Sequence, residues 1–164
     1  VRRLGDGVEA AMHCALVLAG LPDGAVIPGR DLAVLYDLSE SYLLKHLRAL
    51  TAAGVTEATS GPRGGYRLAR DPANITMLDV VEAIDGPGPA FVCREIRQCG
   101  PVASKEPCNY KKNCLIRVRM LQAEKLWRDS LRGQTLADLA RDAAPMIDET
   151  TKRALAAYVD AAKR

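Results

Sequence analysis

SESYLLKHLRALTAAGVTEATSGPRGGYRLAR, residues Ser39 to Arg70, is the stretch on which the fold turns. Ser39 is a favoured helix N-cap, because its hydroxyl can accept an amide proton that the first turn leaves unpaired. Tyr42 stands three residues on, so the cap lacks the acidic partner of a capping box. From about Glu40 to Ala53, Leu43, Leu47 and Leu50 recur at helical spacing, and Gly54 offers a stop. Beyond it Val55 to Thr59 alternates apolar or small residues with polar ones, and Tyr66 to Ala69 does the same. Ser60-Gly61-Pro62-Arg63-Gly64-Gly65 between them is a turn-rich tip, so the pair reads as a β-hairpin. Just upstream, Pro28 opens a short helix over Gly29 to Tyr36, and Asp37-Leu38 turns tightly into Ser39. Two short helices across a tight turn, then a hairpin, outline a winged helix-turn-helix.

Working outward, Gly7 to Ala19 carries Val8, Met12, Ala15, Leu16 and Ala19 on a helical period, ended by Leu21-Pro22-Asp23-Gly24. Ile75 to Ile84 is a further amphipathic helix before Asp85-Gly86-Pro87-Gly88-Pro89. Ala90 to Asn113 has no sustained period, and a loop so long in a compact protein is usually functional. A helical period resumes from Cys114 or Leu115 to Leu131, long enough to pack against a partner chain. Thr135 to Lys163 reads as two short amphipathic stretches broken before Pro145. The expected fold class is mainly α with a small β-hairpin wing: a winged helix-turn-helix plus a long dimerisation helix. The expected division is 1–86 for the helix-turn-helix unit, 87–114 for a cysteine-bearing loop, and 115–164 for the dimerisation and C-terminal helices.

At 164 residues the chain suits one globular domain with at most an extra element. Hydrophobic residues make up 48%, but with one Trp, one Phe and five Tyr the core must be aliphatic. The net charge of +3 permits nucleic-acid binding without requiring it. No apolar run approaches the ~18 residues of a membrane span and the N-terminus lacks a secretory pattern, so a cytoplasmic protein with no membrane partner is expected. In a reducing compartment five cysteines, an odd number, argue against a disulfide framework and toward metal or redox chemistry. The chain offers no nucleotide-binding glycine loop, substrate-pocket motif or catalytic constellation, so neither an enzyme nor a small-molecule substrate is expected.

Four of the cysteines, Cys93, Cys99, Cys108 and Cys114, fall at intervals C-x5-C, C-x8-C and C-x5-C. None of these is the C-x2-C knuckle common in structural zinc sites. Such wide spacing suits a loop wrapped around something larger than one ion, or a site that uses only some of the thiols. Thiolates hold iron–sulfur clusters, and the clusters are anionic. Residues 86–119 set Arg94, Arg97, Lys105, Lys111, Lys112, Arg117 and Arg119 against Glu95 and Glu106, an excess that favours thiolates and an anionic group. On the first helix Glu9 and His13 are four apart, on one face, with Cβ atoms about 5–6 Å apart. They can bind one inorganic unit together; taken alone, a surface pair of little energetic weight is the plainer reading. Cys14, followed by Ala15 and Leu16, is expected to pack in the core.

Ser41-Tyr42-Leu43, Gly61-Pro62-Arg63-Gly64-Gly65-Tyr66, Ile75-Thr76 with Asp79-Val80-Val81 and Ala83-Ile84-Asp85-Gly86, the cysteine loop, and Thr135-Leu136-Ala137-Asp138-Leu139 together form a pattern. Through them the chain resembles, over nearly its whole length, the bacterial IscR/NsrR family of iron–sulfur winged-helix regulators. The RsrR-type redox-sensing branch is more similar still, through Gly7-Val8-Glu9, His13, and the loop Phe91-Val92-Cys93 with Glu95-Ile96-Arg97-Gln98. The resemblance implies a homodimer that regulates transcription and senses redox state or nitric oxide. It implies a two-iron cluster (2Fe-2S) held by Cys93 and Cys114 of one subunit with Glu9 and His13 of the other. Cys99 is then an extra thiol and Cys108 a bystander. The competing set is a four-iron cluster (4Fe-4S) on Cys93, Cys108 and Cys114, completed by Glu9. His13 favours the two-iron set, because the four-iron set has no use for an imidazole there. Arg117 stands where some members have a ligating histidine, and the interval from Cys93 to Cys108 is longer than the usual one.

A symmetric dimer implies a palindromic site on double-stranded DNA. Ser41, Lys45 and Arg48 are the candidates for the major groove, Tyr42 for a phosphate, and Arg63 for the minor groove or phosphates. Leu44 replaces the family's acidic reader after Ser-Tyr-Leu, which implies a different operator. The remaining alternative is a zinc- or thiol-based redox regulator without a cluster.

Overall fold

Leu43, Leu47 and Leu50 have no exposed surface, as their spacing predicts, and the core is assembled around them. The computed structural model describes residues 4–103, 105–106 and 110–164 of the chain. Helix α1 (Asp6–Ala19) buries Val8, Ala11, Cys14, Ala15 and Leu18. Helix α2 (Gly29–Leu35) follows Pro28, and Asp37, at φ 51°, turns the chain toward Ser39. Ser39 Oγ accepts the amide proton of Tyr42 at 3.2 Å, and α3 (Glu40–Ala52) runs on toward the left-handed Gly54. Strands β1 (Thr56–Thr59) and β2 (Gly65–Leu68) pair antiparallel, with Thr56 opposite Leu68 and Thr59 opposite Gly65. The base of this hairpin is tied to the segment before α2, where Ile27 and Tyr66 exchange backbone hydrogen bonds of 2.8 and 3.0 Å. That approach requires glycine at 65, since a Cβ there would stand 2.6 Å from backbone atoms of Ile27.

Helix α4 (Met77–Asp85) starts later than the period over Ile75 to Ile84 predicts. Thr76 Oγ1 accepts the amide proton of Asp79 at 3.1 Å, and the Asp79 carboxylate accepts that of Thr76 at 2.8 Å. This reciprocal cap sets the helix start. Ile75 is buried all the same, as an extended link whose carbonyl accepts the Leu136 amide proton at 2.9 Å.

Helix α5 (Leu115–Arg132) has no buried residue, and Leu115, Ile116, Met120, Leu121, Leu126 and Trp127 are exposed along it. Helix α6 (Leu136–Ala143), capped by Thr135 and Asp138 in the same reciprocal manner, returns to the core through the fully buried Leu136. Helix α7 (Glu149–Ala162) lays Leu155, Tyr158 and Val159 on the same cluster. Its Tyr158 hydroxyl donates to the Asp31 carbonyl at 2.7 Å, and Arg164 exchanges backbone hydrogen bonds with Val26. Thus α6 and α7 complete the core that carries α3 and the wing, and α5 stands off from it. No described helix is long and apolar enough to cross a membrane.

Candidate functional site

Cys114 is the residue at which the loop becomes α5, and it is only 7% exposed. The loop brings the half-buried Cys93 and Glu95 to it, so that the three donor atoms all lie within 4.8 Å of one another. The Cys93 thiol donates to Glu95 Oε1 at 3.6 Å. Arg97 grips the other carboxylate oxygen, Oε2, from Nε at 3.0 Å and Nη2 at 2.6 Å. The same guanidinium donates to the Lys112 carbonyl at 3.3 Å and lies 5.7 Å from the Tyr110 ring centroid. The Tyr110 hydroxyl donates to the Arg97 carbonyl at 3.0 Å. Arg97 therefore ties the Cys93 end of the loop to its Cys114 end.

Among the described residues no side-chain hydrogen bond caps α5. Even so, the amide of Arg117 first, then that of Ile116 and the charge of Arg97, hold the Cys114 thiol below its usual range against the opposing effect of burial. These are the first free amides of a helix, aimed where negative charge is stabilised. Arg97 holds the Glu95 carboxyl below the usual carboxylate range. Such a setting keeps a thiol ready to bind metal. Geometry supplies the fit test. Two sulfurs about 2.3 Å from one tetrahedral ion stand about 3.8 Å apart, and Cys93 and Cys114 meet that requirement with little movement.

The other thiols divide plainly. Cys99 is exposed and outside the group. Cys108 lies outside the described residues. Cys14 is fully buried, as expected, and burial pushes its thiol up to about 12, which leaves it inert. Glu9 and His13 are both exposed on α1, and neither joins the thiol group of its own chain among the described residues. The His13 ring rests 5.4 Å from that of Tyr36. Glu95 was legible in the sequence only as a charge in the loop; its place beside the thiols comes from the fold.

A second surface lies on α3 and the wing. Ser41, Tyr42, Lys45 and Arg48 are all exposed, and 41, 45 and 48 share one helical face. Tyr42 stands edge-on to His46 with ring centroids 4.7 Å apart. His46 is a buried polar residue on the leucine face of α3: it is 8% exposed, and its Nε2 has no hydrogen-bond partner among the described residues. Burial, then the charge of Lys45, holds its pKa below the ordinary histidine value. The ring lies on Gly7 of α1, where a Cβ would stand 2.5 Å from Nδ1 and 2.7 Å from Nε2. At the wing, Arg67 pairs with Glu57, and Arg70 donates to the carbonyls of Gly54 (3.2 Å) and Asn74 (3.1 Å). Arg63, exposed at the tip, has no ion pair among the described residues.

The Rrf2 family, described as an iron-dependent transcriptional regulator, matches residues 4–142. The protein rrf2 of Nitratidesulfovibrio vulgaris is 35% identical over 115 residues, which is 70% of this chain and 71% of that protein. CymR, the global cysteine regulator of B. subtilis, is similar in structure with a TM-score of 0.62 at 25% identity, over 86% of this chain and 98% of its own. IscR of T. potens has the same fold, with a TM-score of 0.65 at 20% identity, over 89% of this chain and 91% of its own. The family and these relatives are regulators rather than enzymes. The helix pair, hairpin and long helix expected from the sequence are thus those of a winged helix-turn-helix, and the chain belongs to the Rrf2 family of DNA-binding transcriptional regulators.

Proposed function

We propose that this chain acts in the cytoplasm as a homodimer that binds a palindromic DNA site and senses redox state or nitric oxide through a two-iron cluster. The ligands are Cys93 and Cys114 of one chain with Glu9 and His13 of the partner subunit. In this reading 1–86 binds DNA, 87–114 binds the cluster and 115–164 holds the dimer together. The observation that carries the reading is the closeness of the two sulfurs, within 4.8 Å. Thiolates that share one iron stand about 3.8 Å apart, and thiolates on separate irons stand farther apart. The pair therefore favours the two-iron set over the four-iron set with Cys108. When bound, the cluster supplies a one-electron change of charge at this point of the molecule.

The chain's own residues do the rest. The six exposed apolar side chains of α5 are a surface that a second copy would cover. A two-fold axis then presents two α3 helices to two half-sites. Glu9 and His13 ride on α1, which touches α3 through Gly7 and His46. A shift of α1 thus reaches the face that bears Tyr42 and Lys45.

Anaerobic purification with iron and sulfide counts and a visible spectrum tests the proposal. The expected result is two irons and two sulfides per chain-equivalent site, and a changed spectrum in His13→Ala. An unchanged spectrum in that variant defeats the histidine assignment. Arg63→Ala should leave the spectrum alone but weaken DNA binding whatever the sequence. It should also flatten the slope of log affinity against log salt by about 0.9, the share of one phosphate contact on B-DNA. An unaltered slope would remove Arg63 from the interface. The likeness to CymR favours a second reading, a zinc- or thiol-based regulator without a cluster. A colourless anaerobic preparation that contains zinc, and that takes up no iron or sulfide under conditions that assemble clusters, would decide for it.

A further inference from the structure

We propose that Cys93, Glu95 and Cys114 of a single chain form a mononuclear site for a borderline divalent cation such as Zn²⁺, filled when no cluster is present. The site rests on the two thiols of the proposed cluster but needs neither sulfide nor the partner subunit's Glu9 and His13. Three observations carry it. The donor atoms lie within 4.8 Å of one another, a spread that a single tetrahedral ion can close. The carboxylate is already divided: Arg97 holds Oε2, and Oε1 faces the Cys93 sulfur, so Glu95 is set to bind through one oxygen. An outer partner that orients a ligating group in this way is a usual feature of built metal sites. Finally, Glu95 has φ 49°, one of two non-glycine residues with positive φ among those described. That backbone state is disfavoured for a residue with a side chain, and such strain gathers at ligand clamps.

Binding releases the two thiol protons to water. The dication with two thiolates and one carboxylate carries a charge of −1, which Arg97 faces, and water completes the fourth position as it does at open zinc sites. The spacing Cys-x-Glu followed by a distant Cys matches no zinc knuckle, so only the folded loop discloses the donor set.

Co²⁺ is the probe, titrated anaerobically into full-length, cluster-free protein with no sulfide added. One ion per chain, with the visible bands of tetrahedral thiolate coordination, is expected. Glu95→Gln, which removes a ligand, should weaken binding by at least the roughly 10- to 100-fold that losing an outer partner costs, with an unchanged far-UV helix signal. X-ray absorption on the Zn²⁺-loaded wild type, which needs no variant, should show two sulfurs at about 2.3 Å with oxygen at about 2.0 Å. Equal Co²⁺ affinity and bands in Glu95→Gln, or a zinc shell of three or four sulfurs, overturns the proposal. Failure of the cluster reading would appear instead in the iron and sulfide counts, leaving the Co²⁺ curve as it was.

Discussion

Cys114→Ser should lose its iron entirely and bind DNA with the same affinity in air and under reductant, while keeping its fold. The residue sits at the N-cap of α5, nearly buried, with the Arg117 and Ile116 amides drawing its thiol toward the thiolate. A serine hydroxyl stays protonated at neutral pH, so it offers those amides and any bound metal a neutral oxygen in place of a sulfur anion. At the same position serine is a good cap, typically worth about 1 kcal/mol against a non-capping residue. The helix therefore stays as stable or gains slightly, which separates loss of ligand from loss of structure. Iron and sulfide counts, the visible spectrum, far-UV circular dichroism and DNA titrations in both redox conditions make the measurement. If the variant retains stoichiometric iron, Cys114 is not a ligand and the thiol pair loses its meaning.

Gly7→Ala should weaken both the fold and the grip on DNA, and the cause should be traceable to one ring. On an isolated helix the change would stabilise, by about 1 kcal/mol. Here the new methyl would stand 2.5 Å from His46 Nδ1 and closer still to Cε1. The ring is buried and has Tyr42 beside it, so it cannot swing aside freely. Overpacking of this kind costs about 1–3 kcal/mol, and the clash outweighs the helix propensity. Displacing His46 also moves Tyr42 and the exposed face of α3. A double-mutant cycle with His46→Ala checks the route, because removing the ring should rescue Gly7→Ala with a coupling of about 0.5–3 kcal/mol. Additive losses in urea unfolding and in DNA affinity would mean that α1 and α3 do not communicate here.

The period over Ile75 to Ile84 reads as helix from its first residue, yet Ile75 is buried as an extended link whose carbonyl accepts from Leu136. Thr76 and Asp79, three apart, already signalled the true start. Arg67 and Arg70, which follow Arg63 along the wing, are held by Glu57 and by the Gly54 and Asn74 carbonyls, partners that the sequence does not disclose. His46, three residues after Leu43 and four before Leu50, stands on the leucine face of its helix, a sign of burial that its polarity masks.

From the sequence alone came the features that depend on a few neighbouring residues. The α3 leucines, the Ser39 cap, the Gly54 stop, the glycine-rich wing tip and the length of α5 belong to this group. So did the thiol-bearing loop, since composition and spacing survive without a fold. Only the tertiary structure decided which distant groups meet: Cys93 with Glu95 and Cys114, Gly7 with His46, and α7 with the core beneath α2. The reason is physical. Backbone geometry ties a residue to those within about one helical turn or one hairpin, whereas contacts across the chain are chosen by packing all the segments at once.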